Sequence, residues 1–466
     1  MKKYFIISAI ACISLFSSCN KWLDINTNPN YVADADIKLL LPAIQLMTAD
    51  KVGYEITLYG TFWSQYVVQN SNTNQYYTIM TNDVTNSTFA SPWSYFYAST
   101  LPRIRETIEK AEAADNSSNY ALEAKSMLVY TLYLLTSLYD DVAYTEGYLT
   151  ETNTPNFDTG KSMQNIIVGL CEDIRQADAD AVAADEAINP SSSADMVFGG
   201  DTDAWFQFVN TLYLKVLLRD FDTNKSKITA LLAEDNFLQE DAAFDNFQDA
   251  ADKSNPLYES DRRQLNTPNN IRCCSDVLNV LSANDPRLFY FYDNNPGGVV
   301  AGGPYGVSAD PTITSRLALY ATEPVYFGTF DEAEFLKAEA YARLGDAVSA
   351  KTAYETAVAA AFDRVGASGA AAFIAGDYAF TATTPEAMVK QIITQKWASN
   401  VHGQPWESWF DLTRTGYPER GTTITDNHGV LSSGYPQRFI YSKSSTDYNP
   451  NAPKPVDLNV KMWWQK

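Results

Sequence analysis

Histidine is almost missing from this sequence. Only His402 and His428 occur among 466 residues, so the usual imidazole ligands and acid–base groups have little to draw on. Cysteine is scarce as well. Beyond Cys12 and Cys19 there are only Cys171, Cys273 and Cys274, and adjacent cysteines rarely bridge, which argues against a disulfide scaffold. Positive charge is in deficit: 34 Lys and Arg face 56 Asp and Glu, a formal net charge of −22. That field repels a phosphate backbone, and no basic stripe overrides it, so nucleic acid is excluded as a partner. Electrostatic adhesion to anionic lipid falls with it. Past the first residues, no run approaches the ~20 apolar residues of a membrane-spanning helix. No Gly-x-Ser-x-Gly, His-Glu-x-x-His or Cys-x-x-Cys occurs. No catalytic residue, metal ligand or cofactor is expected, and the chain is read as a binder rather than an enzyme.

The N-terminus suggests a compartment. Lys2 and Lys3 precede an uncharged apolar stretch from Tyr4 to Phe16, and the small Ser17 and Ser18 stand directly before Cys19. This is the layout of a removable secretory signal over residues 1–18, too short to span a membrane. A cysteine at that point marks a bacterial lipoprotein, with Cys19 as the acylated first mature residue. Several acyl chains at ~0.8 kcal/mol per buried methylene would hold the protein to a membrane without a spanning helix. Without Lys2 and Lys3 the mature chain is more acidic still.

Helical periodicity dominates the rest. Helices are expected at Asp36–Thr48, Trp93–Ala114, Asn119–Tyr139, Ser162–Ala181 and Ala204–Phe221. More follow at Arg272–Ser282, Glu332–Leu344, Ala347–Phe362 and Pro385–Ser399. The Asn119–Tyr139 segment is apolar nearly all round, as a buried helix should be. Strand signals are few, the best being Leu288–Tyr292. Long polar connections lie between, notably Asn70–Ser91, Ala183–Thr202, Phe237–Asn270, Asn294–Thr322 and Gly416–Pro455; loops of that length are usually functional or disordered. Ala338, Tyr341, Gly345, Asp346, Ala350, Tyr354 and Ala357 occupy the small and large positions of a tetratricopeptide unit over residues 332–362. The expected fold is mainly all-α: a tetratricopeptide-like helical scaffold with long irregular loops and few short strands. No linker divides residues 19–466, which read as one domain.

Three features imitate chemistry. Gly160-Lys161-Ser162 resembles the end of a phosphate loop, but Pro155 stands where its first glycine should be. Asp293, Asn295 and Gly298 fit part of a calcium loop, yet Gly297 replaces one ligand and Pro304 the bidentate Glu. Carboxylates at helical spacing, such as Asp331 with Glu334 and Glu106 with Glu109, are expected by chance among so many acids and read as solvated faces.

Tyr59–Tyr97 is the informative stretch. It holds eleven aromatics and Asp83 as its only formal charge, interleaved with Asn70, Asn72, Asn74, Asn82 and Asn86. Rings offer flat apolar area, and amides and hydroxyls offer directional bonds, a mixture that suits a sugar with its apolar faces and hydroxyl rim. Tyr59, Phe62, Trp63 and Tyr66, at helical spacing, read as core. Tyr76, Tyr77 and Trp93, with Asn72 and Asn74, read as candidate ligand contacts. A second candidate surface is Asp293–Phe327 with Tyr292, Tyr305, Arg316 and Tyr320; its glycines serve equally as turn residues.

Several stretches in order resemble the SusD/RagB family of outer-membrane nutrient-binding lipoproteins, in particular its SusD-like branch. They begin with Cys19-Asn20-Lys21-Trp22-Leu23-Asp24-Ile25-Asn26-Thr27-Asn28-Pro29-Asn30. Tyr139-Asp140-Asp141-Val142-Ala143-Tyr144 follows the apolar helix, with Asp140 and Ala143 departing from the family pattern. Pro155-Asn156-Phe157-Asp158 and Phe198-Gly199-Gly200-Asp201 come next. Near the end stand Trp409-Phe410-Asp411-Leu412-Thr413-Arg414-Thr415-Gly416-Tyr417-Pro418, Tyr435-Pro436-Gln437-Arg438-Phe439 and Met462-Trp463-Trp464. The resemblance implies a tetratricopeptide-like lid over a SusC-type TonB-dependent transporter, lipid-anchored in the outer membrane and facing the cell exterior. Because Asn20 and Lys21 stand where surface-displayed members carry acids, a periplasmic face stays open. Family ligands are oligosaccharides or, in RagB-type members, peptides. Only Trp93 carries over as a ligand contact. A surface glycoside hydrolase and a tetratricopeptide adaptor remain as rival readings.

Overall fold

The computed structural model describes residues 35–265, 269–419 and 435–466. The signal segment, Cys19 and the Cys19–Asn30 motif lie outside the described residues, as does His428. The fold is mainly helical, as the periodicity predicts. Its longer helices are α1 Ile37–Lys51, α2 Thr57–Trp63, α3 Leu101–Ala113, α4 Ser118–Tyr139, α5 Gly160–Arg175 and α6 Ala179–Ile188. They continue with α7 Thr202–Leu218, α8 Phe221–Glu234, α9 Phe330–Leu344, α10 Ala347–Arg364, α11 Pro385–Ser399 and α12 Pro405–Thr415. Local chemistry sets many starts. The side chains of Asp36, Thr159, Asp178, Asp201, Thr329, Asp346 and Thr384 each accept a backbone N–H from the first turn of the helix they precede.

Three expectations are corrected. The helix expected over 162–181 stops at Arg175, because Asp178 caps a separate helix, α6, which runs on into the segment from Ala183 read as loop. The helix expected from Arg272 begins only at Ser275, since Ile271–Cys273 is a strand. Leu288–Tyr292 is not a strand: Leu288–Phe291 is a helical turn. Its start is fixed by Asp285, which accepts from the Arg287 N–H at 2.9 Å and pairs with the buried Arg287 guanidinium at 2.8 Å.

Packing centres on α4, which is buried almost all round and lies against α1, α3, α5 and α7. Its leucines each contribute roughly 1.5–3 kcal/mol by leaving water. The tetratricopeptide pair forms as its spacing implies. Ala338, Ala350 and Ala357 are fully buried, so α9 and α10 approach closely, while Gly345 takes a left-handed φ of 85° and Asp346 caps α10. Tyr354 fills the gap to the next segment, with its hydroxyl on the Tyr378 carbonyl at 2.8 Å.

Ions are buried where these helices meet. Lys215 of α7 lies 2.8 Å from Glu332 and 3.2 Å from Glu407; Lys396 of α11 lies 3.2 Å from Glu332 and 2.9 Å from Asp411. The Tyr133 hydroxyl of α4 donates to Glu407 at 2.7 Å. Each charge has partners of opposite sign, the condition under which burial is tolerable.

Strands are short: β1 Val67–Gln69, β2 Ala242–Phe244, β3 Ile271–Cys273 and β4 Val325–Gly328. β1 pairs antiparallel with β3, and β2 with β4.

Candidate functional site

The β1–β3 ribbon is the nucleus of a wider extended layer. Beyond β3, the Cys273 N–H donates to Ser315 O at 2.8 Å and the Leu317 N–H to Ile271 O at 3.1 Å. Beyond that segment, the Asp293 N–H donates to Arg316 O and the Ala318 N–H to Phe291 O, both at 2.9 Å. At the other edge, Asn70 bridges to Ala309, whose carbonyl accepts from the Ser71 N–H at 2.8 Å. Ala309–Tyr320 therefore crosses the layer from the Asn72 loop to the Tyr292 segment. The two candidate stretches, far apart in sequence, are neighbours here.

The layer is rigidly held. Gln69 clamps the 70–76 loop, donating to Thr73 Oγ1 at 2.6 Å and accepting from the Tyr76 N–H at 2.8 Å. The Arg272 guanidinium is buried against the carbonyls of Thr314 and Pro311. Burial, then the like charge of Arg316, lowers its pKa. Gly302 is required for close approach, because a Cβ there would lie 2.5 Å from the Ser275 nitrogen.

The expected contacts divide by depth. Asn72, Asn74 and Tyr320 are exposed, and Arg316 and Tyr77 are half-buried. Tyr76, Trp93, Tyr292 and Tyr305 are buried. Trp93, 6% exposed, stacks on Phe157 at 5.7 Å with planes 4° apart and meets Tyr139 edge-on at 4.8 Å. Tyr292 points inward and donates its hydroxyl to Tyr66 O at 2.9 Å. Two rings that the sequence reading missed come to the surface instead. Phe289 is 58% and Tyr290 38% exposed, beside Tyr320 at 47%. The Tyr320 hydroxyl donates to Tyr290 O at 3.3 Å, and the Tyr290 hydroxyl to Gly366 O at 3.0 Å. As a strand, 288, 290 and 292 would share a face. The helical turn sends Leu288, Phe291 and Tyr292 inward together and frees Phe289 and Tyr290.

Beside these rings Arg316 donates to Asp293 through Nε at 2.7 Å, a partly exposed pair worth no more than ~1 kcal/mol. Burial, then the nearby Glu323 carboxylate, raises the Tyr320 pKa, so its phenol stays a neutral donor and acceptor. Exposed rings, a tyrosine hydroxyl and one guanidinium thus stand at the Tyr292 edge of the layer, and the exposed amides of Asn72 and Asn74 at its other edge. That set can hold a ligand by stacking and hydrogen bonds.

The features that imitate chemistry dissolve on inspection. Lys161 pairs with Asp220 at 2.5 Å and lies over the Trp463 ring. Asn295 caps its own turn by accepting from the Gly297 N–H at 2.9 Å, and Asp293 is committed to Arg316. Asp331 and Glu334 are buried rather than on the solvated face expected: Asp331 pairs with Arg364 and Glu334 with Lys337, while Glu106 pairs with Arg103 nearer the surface. Among the described residues no cluster of acids, histidines and cysteines could hold a metal ion, and no helix is long and apolar enough to cross a membrane.

A family model described as starch-binding associating with outer membrane, SusD-like, matches residues 29–442. Similar solved structures include a SusD homolog from Bacteroides uniformis, 20% identical with a TM-score of 0.79, covering 93% of this chain and 100% of that one. A chitin-binding SusD homolog from Flavobacterium johnsoniae is 19% identical with a TM-score of 0.76, covering 92% and 98%. A SusD-like protein from Bacteroides thetaiotaomicron is 18% identical with a TM-score of 0.73, covering 92% and 99%. No curated protein matches the chain.

Proposed function

The chain belongs to the SusD-like family of starch-binding proteins associated with the outer membrane, and from that membership we propose that it captures a nutrient glycan and breaks no bond in it. In this reading residues 19–466 act as one domain, tethered through acylated Cys19 and facing the cell exterior. The captured oligosaccharide passes to a SusC-type TonB-dependent transporter.

The observation that supports glycan capture is the group of Phe289, Tyr290 and Tyr320, exposed on a layer held together by backbone hydrogen bonds. Sugar C–H faces stack on such rings, while Arg316, Asn72 and Asn74 offer donors and acceptors to hydroxyls. A preformed surface loses little entropy on binding, which favours affinity. The chitin-binding relative from Flavobacterium johnsoniae makes amino-sugar polymers a natural first ligand to try.

Native gels cast with starch, chitin derivatives, xylan or β-glucan test the reading. Retarded migration in at least one polysaccharide, reduced by Tyr320→Ala, is the expected result. Retardation by none of them, with binding to peptides instead, would move the protein to the peptide-binding side of the family. Labelled palmitate should enter the wild type and fail to enter Cys19→Ser.

A further inference from the structure

A second recess borders the ring-bearing layer, to which its loop is tied by Arg262 donating to Leu317 O at 2.8 Å. It is a cleft of about 540 Å³ between the α1-to-α2 run and the loop 246–264. That volume is within the ~300–1,000 Å³ of small-ligand sites. Two half-buried rings, Tyr54 and Phe247, line it, together with the side-chain amides of Asn246, Gln248 and Gln264. The acids Asp50, Asp252 and Glu259 stand in its wall against Lys253, so the cleft is net negative.

What lies behind the wall gives the cleft a polar demand. The Tyr76 hydroxyl is buried without a hydrogen-bond partner at bonding distance. Burial, then the Tyr54 hydroxyl, raises its pKa, while the neighbouring Ser260 hydroxyl and the Arg262 guanidinium partly offset this. Ser260 itself lines the cleft. Were Tyr76 to donate to Ser260 Oγ, the serine proton would be left for a ligand oxygen. Chained hydrogen bonds of this kind polarise and strengthen one another. An unmet buried hydroxyl is destabilising, and a ligand that completes the chain recovers part of that cost.

We infer that this cleft is a second binding site, for a neutral, hydroxyl-rich ligand of one or a few sugar rings, with Tyr76 acting through Ser260. Two rings and three side-chain amides in the lining match a pyranose, and the acids disfavour uronic or sulfated sugars. The inference rests on the glycan-binding reading. It adds a site that would hold a chain end while the exposed rings hold the chain.

The test uses the mature chain carrying Phe289→Ala and Tyr320→Ala, which disables the exposed rings. Calorimetric titration with malto-, cello-, chito- and xylo-oligosaccharides should show residual saturable binding to at least one of them. Adding Gln248→Ala, an exposed loop change, should weaken that binding by about tenfold, and Tyr76→Phe by several-fold without lowering the melting temperature. Oligogalacturonate should not bind. The inference is overturned if the ring-disabled protein binds none of the four, if neither added substitution alters affinity, or if oligogalacturonate binds as well as the neutral probe. Should wild-type binding ignore the ring substitutions yet fall with Gln248→Ala, the exposed-ring reading fails and the cleft stands as the principal site.

Discussion

Arg414 of α12 donates to both carboxylate oxygens of Glu339 in α9, through Nη1 at 2.6 Å and Nη2 at 2.7 Å. Glu339 is wholly buried, and Arg343 adds a third bond at 2.7 Å. The same guanidinium reaches Asp411 at 2.6 Å. The Asp411-Leu412-Thr413-Arg414 stretch, part of the segment that resembles the family's C-terminal pattern, is thus a fastener that ties α12 to the tetratricopeptide pair.

Arg414→Met should therefore destabilise the fold by about 3–5 kcal/mol, since it strands a buried carboxylate. Burial alone would raise the Glu339 pKa, but Arg414 and Arg343 hold it below the usual range. The stabilisation is present above the ~4.3 of an unfolded glutamate and is lost as pH falls through the lower folded value. Urea midpoints of the wild type should decline below about pH 4, and Arg414→Met should flatten that decline. Equal stability of the two proteins at pH 7 would remove the fastener role.

Glu123 gives the opposite slope. It is buried in α4, accepts from the Ser191 hydroxyl at 2.6 Å and keeps one oxygen unpartnered. Burial first, then Asp195, raises its pKa well above normal. Its folded form holds the proton more tightly, so this stabilisation is complete below ~4.3 and is lost as pH rises toward the folded value. Glu123→Gln should raise the urea midpoint more at pH 8 than at pH 5. A uniform change at both pH values would show that Glu123 titrates normally.

Gly60 in α2 faces the start of α12. A Cβ there would lie 2.4 Å from the Trp406 nitrogen and 2.7 Å from its Cα, and backbone cannot swing aside. Gly60→Ala should cost roughly 1–3 kcal/mol or more by overpacking, despite Ala being the better helix former. An unchanged thermal midpoint would mean that α12 slides freely over α2.

Trp93 and Tyr320 should separate stability from binding. Trp93→Ala empties a site enclosed by Phe157, Tyr97 and Tyr139 and should cost about 3–5 kcal/mol. Tyr320→Ala, at an exposed ring, should leave the melting temperature within a degree or so while weakening glycan binding by about tenfold. The reverse pattern would return the ligand to the Trp93 segment.

Much of the scaffold is legible in the amino-acid sequence. Apolar periodicity places α4 and α11 almost to the residue, and the small-residue spacing of Ala338, Ala350 and Ala357 announces a close helix pair. The exposed rings were not legible. Leu288–Tyr292 is too short for periodicity to separate strand from helix, and the Asp285 turn that leads into it carries no periodic signal. Trp93 looked like a surface ring because its own segment is polar. Its cover, Phe157 and Tyr441, comes from distant parts of the chain. For the same reason no local pattern could pair Glu339 with Arg414.

The most direct measurement is a calorimetric titration of the mature protein with neutral oligosaccharides, run beside the Phe289→Ala/Tyr320→Ala variant, with the spent mixture analysed for new reducing ends. Saturable binding to the wild type, weakened by at least about tenfold in the variant and leaving every oligosaccharide intact, is the predicted result. Affinity untouched by removal of both rings, or shortened oligosaccharides in the mixture, would contradict it.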